Sequence, residues 1–189
     1  MNNNRVFTMR FGEKPTSIVI GYFKKPRKHR KGLIGIVGSP LFSEKVPLMI
    51  DPRDPEDRDY DYACVSVSSG GEHPRITMDR EIFYGFLRGD AMARFALFHE
   101  IGHYANGDLN NPDFTSSSYD NMRQEAIENG MVLEMELKAD LFAEKLIGKD
   151  KSVEALTDLA SACTDEDDFL TLQELLMRRD AIRNRSSEC

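Results

Sequence analysis

The chain has 189 residues and a formal charge of −7. That length is enough to bury a sizeable core in one domain. No uninterrupted apolar stretch approaches the roughly 18 residues of a membrane span, and the N-terminal Met1-Asn2-Asn3-Asn4-Arg5 lacks the apolar segment of a secretion signal. Three cysteines, Cys64, Cys163 and Cys189, form no CxxC pair. An odd, scattered set of this kind speaks against a disulfide framework and for a reducing compartment. The expectation is a cytoplasmic protein without membrane contact.

In chain order, the first third reads as strands. Residues 17–23 (SIVIGYF), 33–37 (LIGIV), 46–50 and 62–68 (YACVSVS) are short, β-branched and bounded by Gly, Pro, Asp or Ser. Cys64 falls in the last of these and reads as a core residue. Between the first two lies a basic run, residues 24–31, holding Lys24, Lys25, Arg27, Lys28, Arg30 and Lys31 around His29. In an acidic chain such a run is either a solvated hairpin loop or a contact for nucleic acid or an acidic protein. The acidic run 51–61 (DPRDPEDRDYD) lacks the central Gly and the twelfth-position Glu of a calcium loop, so it reads as a solvated loop.

The remainder reads as helical. Asp79 could cap a helix to about Leu87, and Asp90 a second one ending with Gly107 just beyond its last turn. Residues 108–119 are loop-like, a helix resumes near Asp120, and Gly130 separates it from another predicted over 131–147. Thr164 with Asp167 resembles a capping box opening a last helix to about Ile182. The expected architecture is α+β. It is a single domain over 1–189, with a strand-rich part (1–78) whose small mixed sheet packs against a helical core (79–183), and a tail (184–189).

The second of these helices carries His99-Glu100-Ile101-Gly102-His103. Four residues apart on a helix of 3.6 residues per turn, the two imidazoles share a face and can grip one metal ion. Glu100 is turned from the metal axis yet close enough to act as a general base toward bound water. A third ligand is needed. His29 and His73 lie upstream, and the position six after His103 is Leu109, so a third downstream histidine is ruled out. Further along, Glu136 and Asp140 share a helix face. Glu136 is assigned as the third ligand. Asp140 then accepts the free ring N–H of His99 or His103 and fixes its tautomer. One Zn2+ per chain is the expected cofactor, with a fourth position left for water.

The stretch Ala93-Arg94-Phe95-Ala96-Leu97-Phe98-His99-Glu100-Ile101-Gly102-His103 resembles the "RFTLAHELGH" signature of the ImmA/IrrE-type zinc metallopeptidases. Similarly, Glu136-Leu137-Lys138-Ala139-Asp140-Leu141-Phe142-Ala143 resembles their "ExEAxxFA" segment. The wider gluzincin class fits as well. This resemblance, covering roughly residues 80–150, implies His99, His103 and Glu136 as metal ligands and Glu100 as base. It also implies limited proteolysis of a specific protein such as a transcriptional repressor. Lys138 stands where the family has a second Glu, and the strand-rich third has no counterpart in it.

The expected activity is therefore that of a zinc metalloendopeptidase acting on a protein or peptide. His73, Tyr119 and edge-strand amides are alternatives for the oxyanion donor. A peptide substrate could add as a strand along 62–68 or 75–78. The other reading is a non-catalytic, metal-binding interaction protein that uses residues 24–31 to contact nucleic acid or an acidic protein.

Overall fold

The computed structural model describes residues 3–11, 14–23, 32–51, 65–68, 74–115, 117–163 and 169–185. The chain forms two compact units, Met1–Arg88 and Gly89–Cys189. The architecture is α+β, as expected from the sequence.

Among the described residues the first unit holds six strands, β1 (Asn3–Phe11), β2 (Lys14–Tyr22), β3 (Leu33–Gly38), β4 (Val46–Ile50), β5 (Val65–Ser68) and β6 (Arg75–Met78), followed by helix α1 (Arg80–Arg88). The strands form one sheet in the order β1-β2-β3-β4-β6-β5. Every pairing is antiparallel except β4 with β6, which makes the sheet mixed. Residues 75–78 are thus an interior strand, paired on both sides, and among the described residues β5 and β1 are the edges.

Strand β1 was absent from the sequence expectation. Its alternation is nevertheless visible in the burial pattern, where Asn4, Val6, Thr8 and Arg10 are exposed and Met9 is buried. The inward residues of β2, β3, β4 and β6, including Ile18, Ile20, Ile34, Val37, Leu48, Ile76 and Met78, are buried with Ile82, Phe83 and Phe86 of α1. Aromatic contacts tie the helix to the strands, Phe7 to Phe86 at 6.0 Å and Tyr22 to Phe83 at 6.3 Å between ring centroids. From β1, the Arg5 guanidinium donates to the carbonyls of Phe86 (2.9 Å) and Leu87 (2.5 Å) at the end of α1. Those carbonyls have no partner within the helix, and a cation there also complements the helix dipole. These contacts place α1 with the strands and not at the head of the helical part, where the sequence suggested it.

The second unit is built from α2 (Ala91–Asn106), α3 (Ser117–Glu128), α4 (Glu134–Ile147), α5 (Lys149–Ala162) and α6 (Phe169–Asn184). Two short 3-10 turns, Asp108–Asn110 and Pro112–Thr115, connect α2 to α3. Helix α2 packs against α4 and α5, and α5 against α6. Its buried residues (Ala93, Phe95, Leu97, Phe98, His99, Ile101, Gly102 and His103) cover most of its circumference. A helix apolar nearly all round belongs in a core.

Several boundaries differ from expectation for identifiable reasons. Asp90 stands at the N-cap of α2, but its side chain makes no capping bond. Gly107 ends α2 in the left-handed region (φ 81°), donating its N–H to the carbonyls of His103 and Tyr104. Helix α3 starts at Ser117, earlier than read, and α4 at Glu134, later. Helix α5 was not anticipated. It begins directly after Gly148, whose φ of 89° breaks the run from α4. The expected capping box at Thr164 and Asp167 lies outside the described residues, as do the basic run 24–31, residues 52–61 of the acidic run, His73, Cys64 and Cys189. Among the described residues, no helix is long and apolar enough to cross a membrane.

Candidate metal centre

The two helices that carry the candidate ligands meet at a glycine. A Cβ built on Gly102 of α2 would lie 2.9 Å from Ala139 Cα, 3.0 Å from its carbonyl oxygen and 3.1 Å from Phe142 Cβ. Only glycine allows this approach of α2 to α4. Ala139 lies on α4 between Glu136 and Asp140, so the close approach delivers both carboxylates to His99 and His103, which stand on α2 three residues before Gly102 and one residue after it.

His99, His103 and Glu136 form a buried cluster able to hold a metal ion. His99 Nε2 lies 3.0 Å from His103 Nε2 and 3.2 Å from Glu136 Oε2, and His103 Nε2 lies 3.3 Å from Glu136 Oε1. Ligand atoms bound at about 2.0–2.2 Å to a tetrahedral ion of zinc's size are about 3.3–3.6 Å apart. The observed separations need only a slight outward adjustment to match.

The outer nitrogens define the tautomers. His99 Nδ1 lies 2.8 Å from Asp140 Oδ1, and His103 Nδ1 lies 2.8 Å from Asp108 Oδ2. An ionised carboxylate only accepts, so each Nδ1–H must donate. Both Nε2 atoms then face each other and Glu136 with lone pairs inward. Four mutually repelling acceptors at these distances require a proton or a metal ion among them. Asp140 thus orients His99 of the two candidates expected from sequence, and His103 is oriented by Asp108 instead. Asp108 follows directly on the Gly107 turn, which folds the chain back toward the last turn of α2.

Three further groups complete the surroundings. Arg178 on α6 is buried and reaches across both carboxylates of α4. Its Nη1 lies 3.0 Å from Glu136 Oε2, while Nε (2.8 Å) and Nη2 (2.5 Å) donate to the two oxygens of Asp140. Tyr119 on α3 donates its hydroxyl to Glu136 Oε1 at 2.5 Å. The Phe114 ring packs against His103 (4.8 Å) and Tyr119 (5.6 Å). Glu100 is half-buried on the same helix as the two histidines.

Electrostatics follow from this crowding. Burial disfavours the charged form of Asp140 and of Glu136, yet the Arg178 charge and the imidazole hydrogen bonds outweigh it and hold both carboxyls below their ordinary range. Burial and the Arg178 charge push His99 down, but its bonds to Asp140 and Glu136 prevail and raise it to about 10. His103 is raised by Asp108 and Glu136 against the same burial penalty. Burial first, then the Glu136 charge, push the Tyr119 phenol well above its ordinary value and keep it a proton donor. No family model, no curated protein and no solved structure matches the chain.

The three candidate ligands expected from the sequence, His99, His103 and Glu136, are brought together in the structure, with Asp140 beside them. Sequence reasoning weighed Tyr119 only as an oxyanion donor, whereas the hydroxyl here is bonded to the ligand carboxylate. It missed Asp108 and Arg178. Asp108 could have been found from the capping glycine that turns it back, but nothing local marks Arg178, which comes from a separate helix.

Proposed function

We propose that the protein is a zinc metallopeptidase performing limited proteolysis of a specific intracellular protein substrate. One observation carries this reading: two imidazoles and a carboxylate converge to 3.0–3.3 Å with each ring oriented by its own carboxylate, beside a glutamate that a purely structural site has no use for. Its two motifs also resemble those of the ImmA/IrrE-type enzymes, which favours action on a regulator over bulk digestion.

His99, His103 and Glu136 would hold the ion. When bound, zinc supplies a Lewis acid that makes water a nucleophile near neutral pH and polarises the scissile carbonyl. Glu100 accepts the proton of the attacking water and returns it to the leaving amine. Asp140 and Asp108 keep the two imidazoles in the ligating tautomer throughout. Tyr119 retains its proton at neutral pH and so serves Glu136 as a donor only.

A zinc-loaded sample offered a mixed peptide library, with products followed by mass spectrometry, tests the reading. Wild type should generate defined fragments, and Glu100→Gln should be at least about a hundredfold slower while keeping its zinc. Equal cleavage by the two would rule the proposed chemistry out.

A further inference from the structure

We propose that Arg178 is a resident counter-cation of the metal centre, holding the same two carboxylates that the bound ion polarises, so that it keeps the metal-free cage assembled while weakening its grip on the ion. The proposal rests on the His99, His103 and Glu136 centre binding a metal.

The guanidinium is buried, and every nitrogen it carries is committed to the cage. Nη1 contacts Glu136 Oε2, which itself lies 3.2 Å from His99 Nε2. Nε and Nη2 form a fork on Asp140, the partner of His99 Nδ1. Nη2 also lies 3.1 Å from His99 Nδ1 and 3.5 Å from His99 Nε2, against the imidazole itself. The cation therefore touches a ligand carboxylate, the carboxylate that orients a ligand, and the ligand it orients.

Two consequences have opposite signs. Without a metal, Glu136 and Asp140 would be two buried anions one helical turn apart, and removing one partner from a buried pair is strongly destabilising. With a metal, a fixed positive charge lies within contact distance of the carboxylate that must neutralise the ion. Two cations sharing the same anions repel, and the repulsion is large in a buried site. Arg178 and the metal thus bind antagonistically to one set of charges, and couplings of this kind amount to roughly 5–150-fold in affinity. A merely structural arginine would behave otherwise. Its loss would loosen the cage and weaken the metal together, as loss of an orienting group ordinarily does.

The test compares full-length wild type, Arg178→Met and Arg178→Lys after chelation, by thermal melting and by zinc titration against a competing chromophoric chelator. Arg178→Met should melt about 10 °C below wild type when metal-free. It should nevertheless bind zinc about tenfold more tightly. Arg178→Lys, which keeps the charge without the planar fork, should stay within about threefold of wild-type affinity. If Arg178→Met does not fold, the Lys variant decides alone, since an affinity loss of tenfold or more would overturn the proposal. Weaker zinc binding by both variants, or unchanged binding by Arg178→Met, would also overturn it while leaving the metal centre intact. Wild type that takes up no zinc would defeat the metal reading and this proposal with it.

Discussion

Asp140→Asn is expected to cost the metal-free protein about 3–5 kcal/mol at neutral pH, because it breaks a buried ion pair and leaves the Arg178 fork facing an amide. Asp140 is fully buried and accepts from His99 Nδ1 and from two nitrogens of Arg178, so no water can take over its role. The loss should depend on pH in one direction. The folded-state carboxyl is held below the ordinary value of 3.8 by Arg178 and His99 against the penalty of burial. A depressed folded value contributes stability that is fully present above the unfolded value and disappears as pH falls through the folded one. The gap between wild type and Asp140→Asn should therefore be widest at neutral pH and shrink below about pH 3.8. Urea titrations of both proteins at pH 7 and pH 3 measure it. A gap that is unchanged or grows in acid would mean that Asp140 is not the charged partner described.

Gly102→Val should be comparably severe, at about 3 kcal/mol or more. A single added methyl already meets the backbone of Ala139 at 2.9 and 3.0 Å, and backbone cannot swing aside as a flexible side chain could. The γ carbons of valine add to the overlap. Helix α4 must move away from α2, and Glu136 and Asp140 move with it because they flank Ala139 on the same helix. Stability and metal affinity should fall together, in contrast to the opposed effects expected at Arg178. Gly102→Ala tests the same contact more gently, since its better helix propensity returns about 1 kcal/mol of the overpacking cost. Thermal melting with zinc titration reads both variants. Wild-type values for Gly102→Val would show that the helices are not in the close contact described.

What could be read from the sequence divides along the range of each interaction. Helical spacing alone puts His99 and His103 on one face, and puts Glu136 and Asp140 on another, because the period of 3.6 is local. The glycine between the histidines and the capping Gly107 were legible for the same reason: each reports a backbone requirement at its own position. The strands β2, β3 and β4 announced themselves through β-branched runs. Strand β1 did not, since its polar Asn and Arg residues mask an alternation that only its partner β2 makes meaningful. Helix α5 is rich in Ala, Ser, Asp and Lys, which gives a weak apolar stripe. Its burial against α2 and α6 makes it a helix of the core.

Charge partners from distant helices were the least legible. Arg178 and Glu136 belong to α6 and α4, and no spacing rule connects them. Arg123 of α3 and Glu174 of α6, whose Nε and Oε2 lie 2.6 Å apart, are a second such pair. Both pairs bring α6 into the surroundings of the metal centre. Local sequence thus points to the candidate ligands, whereas the groups that contact them from other helices come from tertiary packing.

The most direct measurement is metal content by mass spectrometry after zinc is supplied at neutral pH and excess is removed, on wild type beside His99→Ala, Glu136→Ala and Glu100→Gln. One equivalent of zinc should remain in wild type and in Glu100→Gln, and should be lost or much reduced in His99→Ala and Glu136→Ala. A wild-type protein that emerges metal-free, or ligand variants that hold zinc as well as it does, would contradict the account.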